Sequence, residues 1–166
     1  MAQLSEQELL AKVPDGLFIG GEWSQSSTGA TLDVRDPATG QVIASIADAS
    51  PEDGIAALDA AVEAAVEWAA TAPRARGELL RRAFDLLQQR TDEFALLMTL
   101  EMGKPLAEAR GEIAYGGEFL RWFSEEAVRI AGRYATNPEG TGRMIVSQHP
   151  VGPSYLITPW NFPLAM

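Results

Sequence analysis

The sequence has no cysteine and a single histidine. Without a thiol these residues hold no disulfide, no thiolate metal site and no cysteine nucleophile. The histidine, His149 beside Pro150, has no cluster of other ligands around it, so it reads as structural and no metal is expected. Basic residues are also scarce: 13 Lys and Arg face 23 Asp and Glu, a net charge of −10. A polyanion binder needs clustered cations, so nucleic acid is not an expected partner. Long apolar runs are missing too. No stretch approaches the roughly eighteen residues that cross a bilayer. Met1 to Lys12 carries Glu6 and Glu8 where a secretory signal has a basic start and an apolar run. A soluble, cytoplasmic protein with no membrane partner is therefore expected. Neither the nucleophile elbow G-x-S-x-G nor the phosphate loop G-x-x-x-x-G-K-[ST] occurs. What remains, 46% hydrophobic and 22% charged residues, is the composition of a folded globular chain.

The local patterns change twice along the chain. Leu4 to Val13 suits one or two amphipathic turns, broken at Pro14-Asp15-Gly16. Leu17 to Trp23, split by Gly20-Gly21, predicts two short strands around a tight turn. Thr31–Arg35 and Val42–Ile46 flank the turn residues Asp36 to Gly40, so 17–47 reads as one small antiparallel unit with little core. Ser50-Pro51-Glu52-Asp53 then starts a helix: a capping hydroxyl, a proline at the first position and two acids at the positive end of the dipole. Ile55, Leu58, Val62, Ala65 and Trp68 continue it at helical spacing. Pro73 interrupts, and Leu79, Leu80, Ala83, Leu86 and Leu87 mark a second helix. Thr91 is placed to cap a third, with Phe94, Leu97 and Met98 inward, ended by Gly103-Lys104-Pro105. A fourth runs from Leu106 to about Ala131 despite Gly111, Gly116 and Gly117, which suggest close packing or space beside a ligand. Asn137 to Gly140 is a turn, Arg143 to Gln148 a strand, and Tyr155 to Thr158 a short strand of the buried type.

Most charged residues fit bland roles. Arg74, Arg76, Arg81 and Arg82 suit a solvated helix face paired with Glu78 and Asp85. Glu108 and Glu112, one turn apart, read as solvated surface. Thr158-Pro159-Trp160-Asn161-Phe162-Pro163 is different: Asn161 stands between two prolines that fix the backbone, just after an expected strand. An amide held there is suited to donate to an oxygen gaining negative charge. A turn asparagine that satisfies its own backbone is the equal alternative.

Several blocks, in order, resemble the aldehyde dehydrogenase superfamily: Phe18 to Trp23, Val34 to Gly40, Leu100 to Ala109, Pro150-Val151-Gly152 and Thr158 to Pro163. Ala109 to Ile113, with Phe119, Trp122-Phe123 and Glu125-Glu126-Ala127, is similar to succinate-semialdehyde dehydrogenases. The resemblance implies an α/β fold of that type. Within it, 1–16 is a helical lead, 17–49 and 136–152 are strands of the oligomerisation arm, and 50–135 is the helical part of the cofactor domain. Residues 153–166 then begin a parallel, Rossmann-like sheet. It implies NAD or NADP as cofactor, a small aldehyde as substrate and a homo-oligomer. Asn161 takes the oxyanion-hole position; Ile157, Thr158, Pro159 and Trp160 match the loop along the nicotinamide. Phe162 matches a substrate-channel residue, with Ile113, Gly117 and Trp122 as a second channel wall. In the family a cysteine thiolate forms a thiohemiacetal, hydride passes to NAD(P)+ and a glutamate-activated water releases the acid. Neither that cysteine nor that glutamate is matched here, so the chain is expected to be the inactive front part of such an enzyme. The alternative is an interaction module that joins an intact partner's oligomer.

Overall fold

The computed structural model describes residues 5–166. Leu4 of the expected N-terminal turns lies outside that range. Ser5 accepts from the Glu8 amide while Glu8 returns to the Ser5 amide, and this capping box starts the short helix α1 (Glu6–Leu10). Strands β1 (Leu17–Ile19) and β2 (Glu22–Ser24) pair antiparallel around Gly20-Gly21. Strands β3 (Thr31–Arg35) and β4 (Val42–Ala47) form a second antiparallel pair with an irregularity at Val34/Arg35. The expected single unit over 17–47 is thus two separate hairpins. Each turn closes its own pair, and the polar stretch 25–29 between them carries no ladder.

Helix α2 (Pro51–Ala70) begins with a second capping box, Ser50 and Asp53, and proline in its first turn. Its apolar stripe is present but uncovered: Ile55, Leu58 and Val62 are each more than half exposed. Helix α3 (Pro73–Gln89) starts on Pro73, so that residue opens a helix as well as ending one. Helix α4 (Thr91–Met102) follows almost without a break. Thr91 does not cap it; its hydroxyl donates back to the Gln88 carbonyl at 2.8 Å, because the chain is already helical there. Helix α5 (Leu106–Glu126) ends five residues before the expected Ala131. The residues that follow form β5 (Arg133–Thr136), paired antiparallel with β6 (Arg143–Val146). That hairpin corrects the helical reading of 50–135 at its last residues.

The core lies among α3, α4 and α5. Leu87, Ala95, Met98, Ala109 and Ile113 are buried together, with Phe94, Met102, Leu106, Leu120 and Leu164 packed against them. Helices α3 and α5 approach closely at Gly77, where a Cβ would stand 2.6 Å from the Ser124 carbonyl oxygen. Tyr155 to Thr158 forms no strand. Among the described residues no strand lies beside it to complete a ladder, and Tyr155, Leu156 and Ile157 are 77–89% exposed. No helix among the described residues is long and apolar enough to cross a membrane.

Candidate active site

The final turn of the chain is held against α5 by one acid and one lysine. Lys104 sits in the short link between α4 and α5, where Pro105 sets the start of the next helix. Two turns along α5, Glu112 lies on the same face as Ala109, Ile113 and Gly116, all buried. The side chains form an ion pair that is 11% exposed at the lysine and 1% at the glutamate. The other carboxylate oxygen of Glu112 accepts from the amides of Leu164 at 2.9 Å and Ala165 at 3.2 Å. Burial works to raise the Glu112 pKa, but the Lys104 hydrogen bond and the two amides outweigh it. The carboxylate is therefore held ionised below its usual range.

Lys104 also reaches the loop directly. Its ammonium donates to the Asn161 carbonyl at 2.9 Å and stands 4.3 Å from the centre of the Phe162 ring. Gly116 makes the approach possible, since a Cβ there would meet Leu164 Cδ2 at 2.5 Å and Ala165 Cα at 3.0 Å. The resulting groove of about 540 Å³ is lined by Lys104, Glu108, Glu112, Tyr115, Asn161 and Phe162. Asn161 is exposed at its edge. Only its carbonyl is engaged; among the described residues the side-chain amide has no hydrogen-bond partner.

The other expected site residues are placed differently from one another. Ile157 and Trp160 are 84% and 81% exposed, with Thr158 and Pro159 exposed between them. Phe162, 39% exposed, lines the groove. Ile113 is fully buried in the helical core, and Gly117 faces Phe84 and Gln88 of α3. Trp122 is 62% exposed on the opposite side of α5. The structure does not bring Ile113, Gly117 and Trp122 onto one surface. Nor is Glu112 solvated as its spacing from Glu108 suggests; only Glu108 is exposed. Lys104 and Glu112 were legible only indirectly, through the apolar residues that flank Glu112 at positions 109, 113 and 116. Among the described residues no group of acids or histidines is arranged to hold a metal ion.

The chain is 66% identical over 125 residues to a succinate-semialdehyde dehydrogenase of Paenarthrobacter nicotinovorans, covering 75% of this chain and 28% of that protein. It is 43% identical over 149 residues to the NADP(+) succinate-semialdehyde dehydrogenase of Escherichia coli, covering 90% of this chain and 31% of that one. It thus spans under a third of the length of the curated relatives it matches. A crystal structure of betaine aldehyde dehydrogenase from Staphylococcus aureus, in complex with NAD+, superimposes with a TM-score of 0.91 at 28% identity. That match covers 96% of this chain and 32% of the other. Residues 23–166 match the model of the aldehyde dehydrogenase family. A mixed α/β fold, the expected order of hairpins and helices, and a match over nearly all of its length agree: this chain belongs to the aldehyde dehydrogenase family.

Proposed function

We propose that this chain is the N-terminal part of an NAD(P)-dependent enzyme that oxidises a small aldehyde, succinate semialdehyde, to the carboxylic acid. The likeness to succinate-semialdehyde dehydrogenases carries the reading. The free Asn161 amide at the edge of an open groove supports it. In this reading Asn161 donates to the aldehyde oxygen as it gains negative charge, and Phe162 borders the entering substrate. NAD(P)+, when bound, accepts the hydride. The exposed run Ile157 to Trp160 fits one edge of such a cofactor. The nucleophile comes from residues outside this chain, which has no cysteine. The arm segments 17–49 and 136–152 serve assembly into a homo-oligomer in the cytoplasm; the exposed Ile145 and Val146 of β6 support a surface that is covered on assembly.

Steady-state assays of the longer protein carrying this chain, with succinate semialdehyde and other small aldehydes and both cofactors, test the reading. Succinate semialdehyde is expected to give the highest kcat/KM. The purified 166-residue chain is expected to give no turnover. Failure of the longer protein to oxidise any aldehyde, or turnover by the purified chain, would overturn the proposal. The exposed apolar surfaces favour one second reading, a non-catalytic module that joins a partner's oligomer. An intact mass near 17.9 kDa in cells would support it.

A further inference from the structure

We propose that Lys104 and Glu112 are positioning residues that set the orientation of Asn161, a role that rests on the oxyanion reading above. Glu112 is the one buried acid among the described residues, 4% exposed overall. Its carboxylate is fully used, with one oxygen on Lys104 and the other on the Leu164 and Ala165 amides. Lys104 completes the connection through the Asn161 carbonyl and the face of Phe162. The backbone is therefore gripped at the Asn161 carbonyl and again at the Leu164 and Ala165 amides, while Pro159 and Pro163 restrict φ on either side of Asn161. None of these contacts uses the Asn161 side chain, which stays available to a ligand.

Support for the loop comes from downstream. Residues 147–159, which lead into it, form no helix or strand, and most are exposed. The described residues thus give the loop no anchor on its upstream side comparable to α5. A bare packing contact would serve that purpose with apolar residues, because burying a carboxylate costs free energy unless it is paired and hydrogen-bonded. A charged pair adds direction: the lysine must point at the Asn161 carbonyl and the carboxylate at two successive amides. Those directional bonds fix a peptide plane where dispersion contacts would let it rock.

The test uses the longer, catalytically complete protein with K104M, E112Q and N161A, alone and combined. K104M is expected to lower kcat roughly 10- to 100-fold, the scale of a misplaced catalytic group, with the cofactor KM unchanged. K104R should recover part of the loss. In the N161A background K104M and E112Q should have little further effect, because both act through Asn161. Hydrogen exchange at the Leu164 and Ala165 amides should accelerate in E112Q while α3–α5 stays protected. A wild type that oxidises aldehydes together with a K104M kcat near wild type would overturn the positioning role and leave the function standing. Additive losses with N161A would overturn it too. A wild type with no aldehyde oxidation would overturn the functional reading and with it this role. Should E112Q fail to fold, K104M and K104R carry the kinetic test, and the same amides in K104M carry the exchange test.

Discussion

The pairing of Glu112 with Lys104 and two amides has a measurable consequence for the loop at low pH. The Glu112 carboxyl is held below the ordinary range when the chain is folded and sits in that range when unfolded. Its contribution is therefore complete above the ordinary carboxylate range and is lost only as pH falls through the lowered value. Protection of the Leu164 and Ala165 amides, relative to their intrinsic exchange at each pH, is expected to hold through the ordinary range in an acid titration and to fall below it. A midpoint at or above that range would sink the assignment. The same residue shows the limit of reading a sequence. Asn161 stood out because two prolines and two aromatics frame it in consecutive positions. Lys104 reaches its carbonyl across 57 residues and Glu112 holds the Leu164 amide across 52, and no local pattern records a partner that far away.

Elements were more legible, since their causes are local. Ser50 caps α2, and Asp53 accepts from the Ser50 amide, the Ser27 amide and the Ser26 hydroxyl. Asp53 therefore ties the loop before β3 to the start of the helix. The Ser50 amide, first, and then the serines of that loop hold its carboxyl below the usual range, against the effect of burial. Ser50→Ala is expected to cost about 1 kcal/mol, typical of a lost N-cap. Asp53→Ala should in addition speed amide exchange at Ser27. A thermal melt and exchange at that amide check the pair; unchanged exchange in Asp53→Ala would remove the tie. Gly77 marks where α3 and α5 meet. An alanine there pushes a methyl into the Ser124 carbonyl, an overpacking cost of about 1–3 kcal/mol. The melting temperature should fall by several degrees, roughly 2–4 °C per kcal/mol for a chain of this size. No change would mean the helices separate freely. Sequence missed the end of α5 and all of β5. Arg133 to Thr136 carries no alternation strong enough to announce a strand, and β5 exists because β6 pairs with it.

At the scale of the whole molecule, the described chain has a small buried core and a large uncovered apolar surface. Val66 and Ile145 are each 78% exposed, and Val151 is 96% exposed. Such surface is expected to be buried in the assembled protein. Limited proteolysis of the isolated 166-residue chain should cut first within 147–160, where backbone lies outside helix and strand. In the longer protein the same stretch should resist. First cuts in α3 or α5 would contradict this order of stability. The family was legible from several ordered blocks together, whereas Tyr155 to Thr158, apolar and compact, looked like a strand for a sheet these residues do not contain. A hydrophobic run states what it would bury against, not whether that neighbour is present.

The order of the parts has a consequence for biosynthesis. Glu112 precedes the Leu164 amide it binds by 52 residues. At ordinary translation rates of about 5–20 residues per second, those residues take roughly 3–10 s to make. Helix formation needs microseconds or less. As the nascent chain lengthens, α5 thus has time to fold, with its carboxylate facing Lys104, before the asparagine loop leaves the ribosome. The loop arrives at a cradle that is waiting for it.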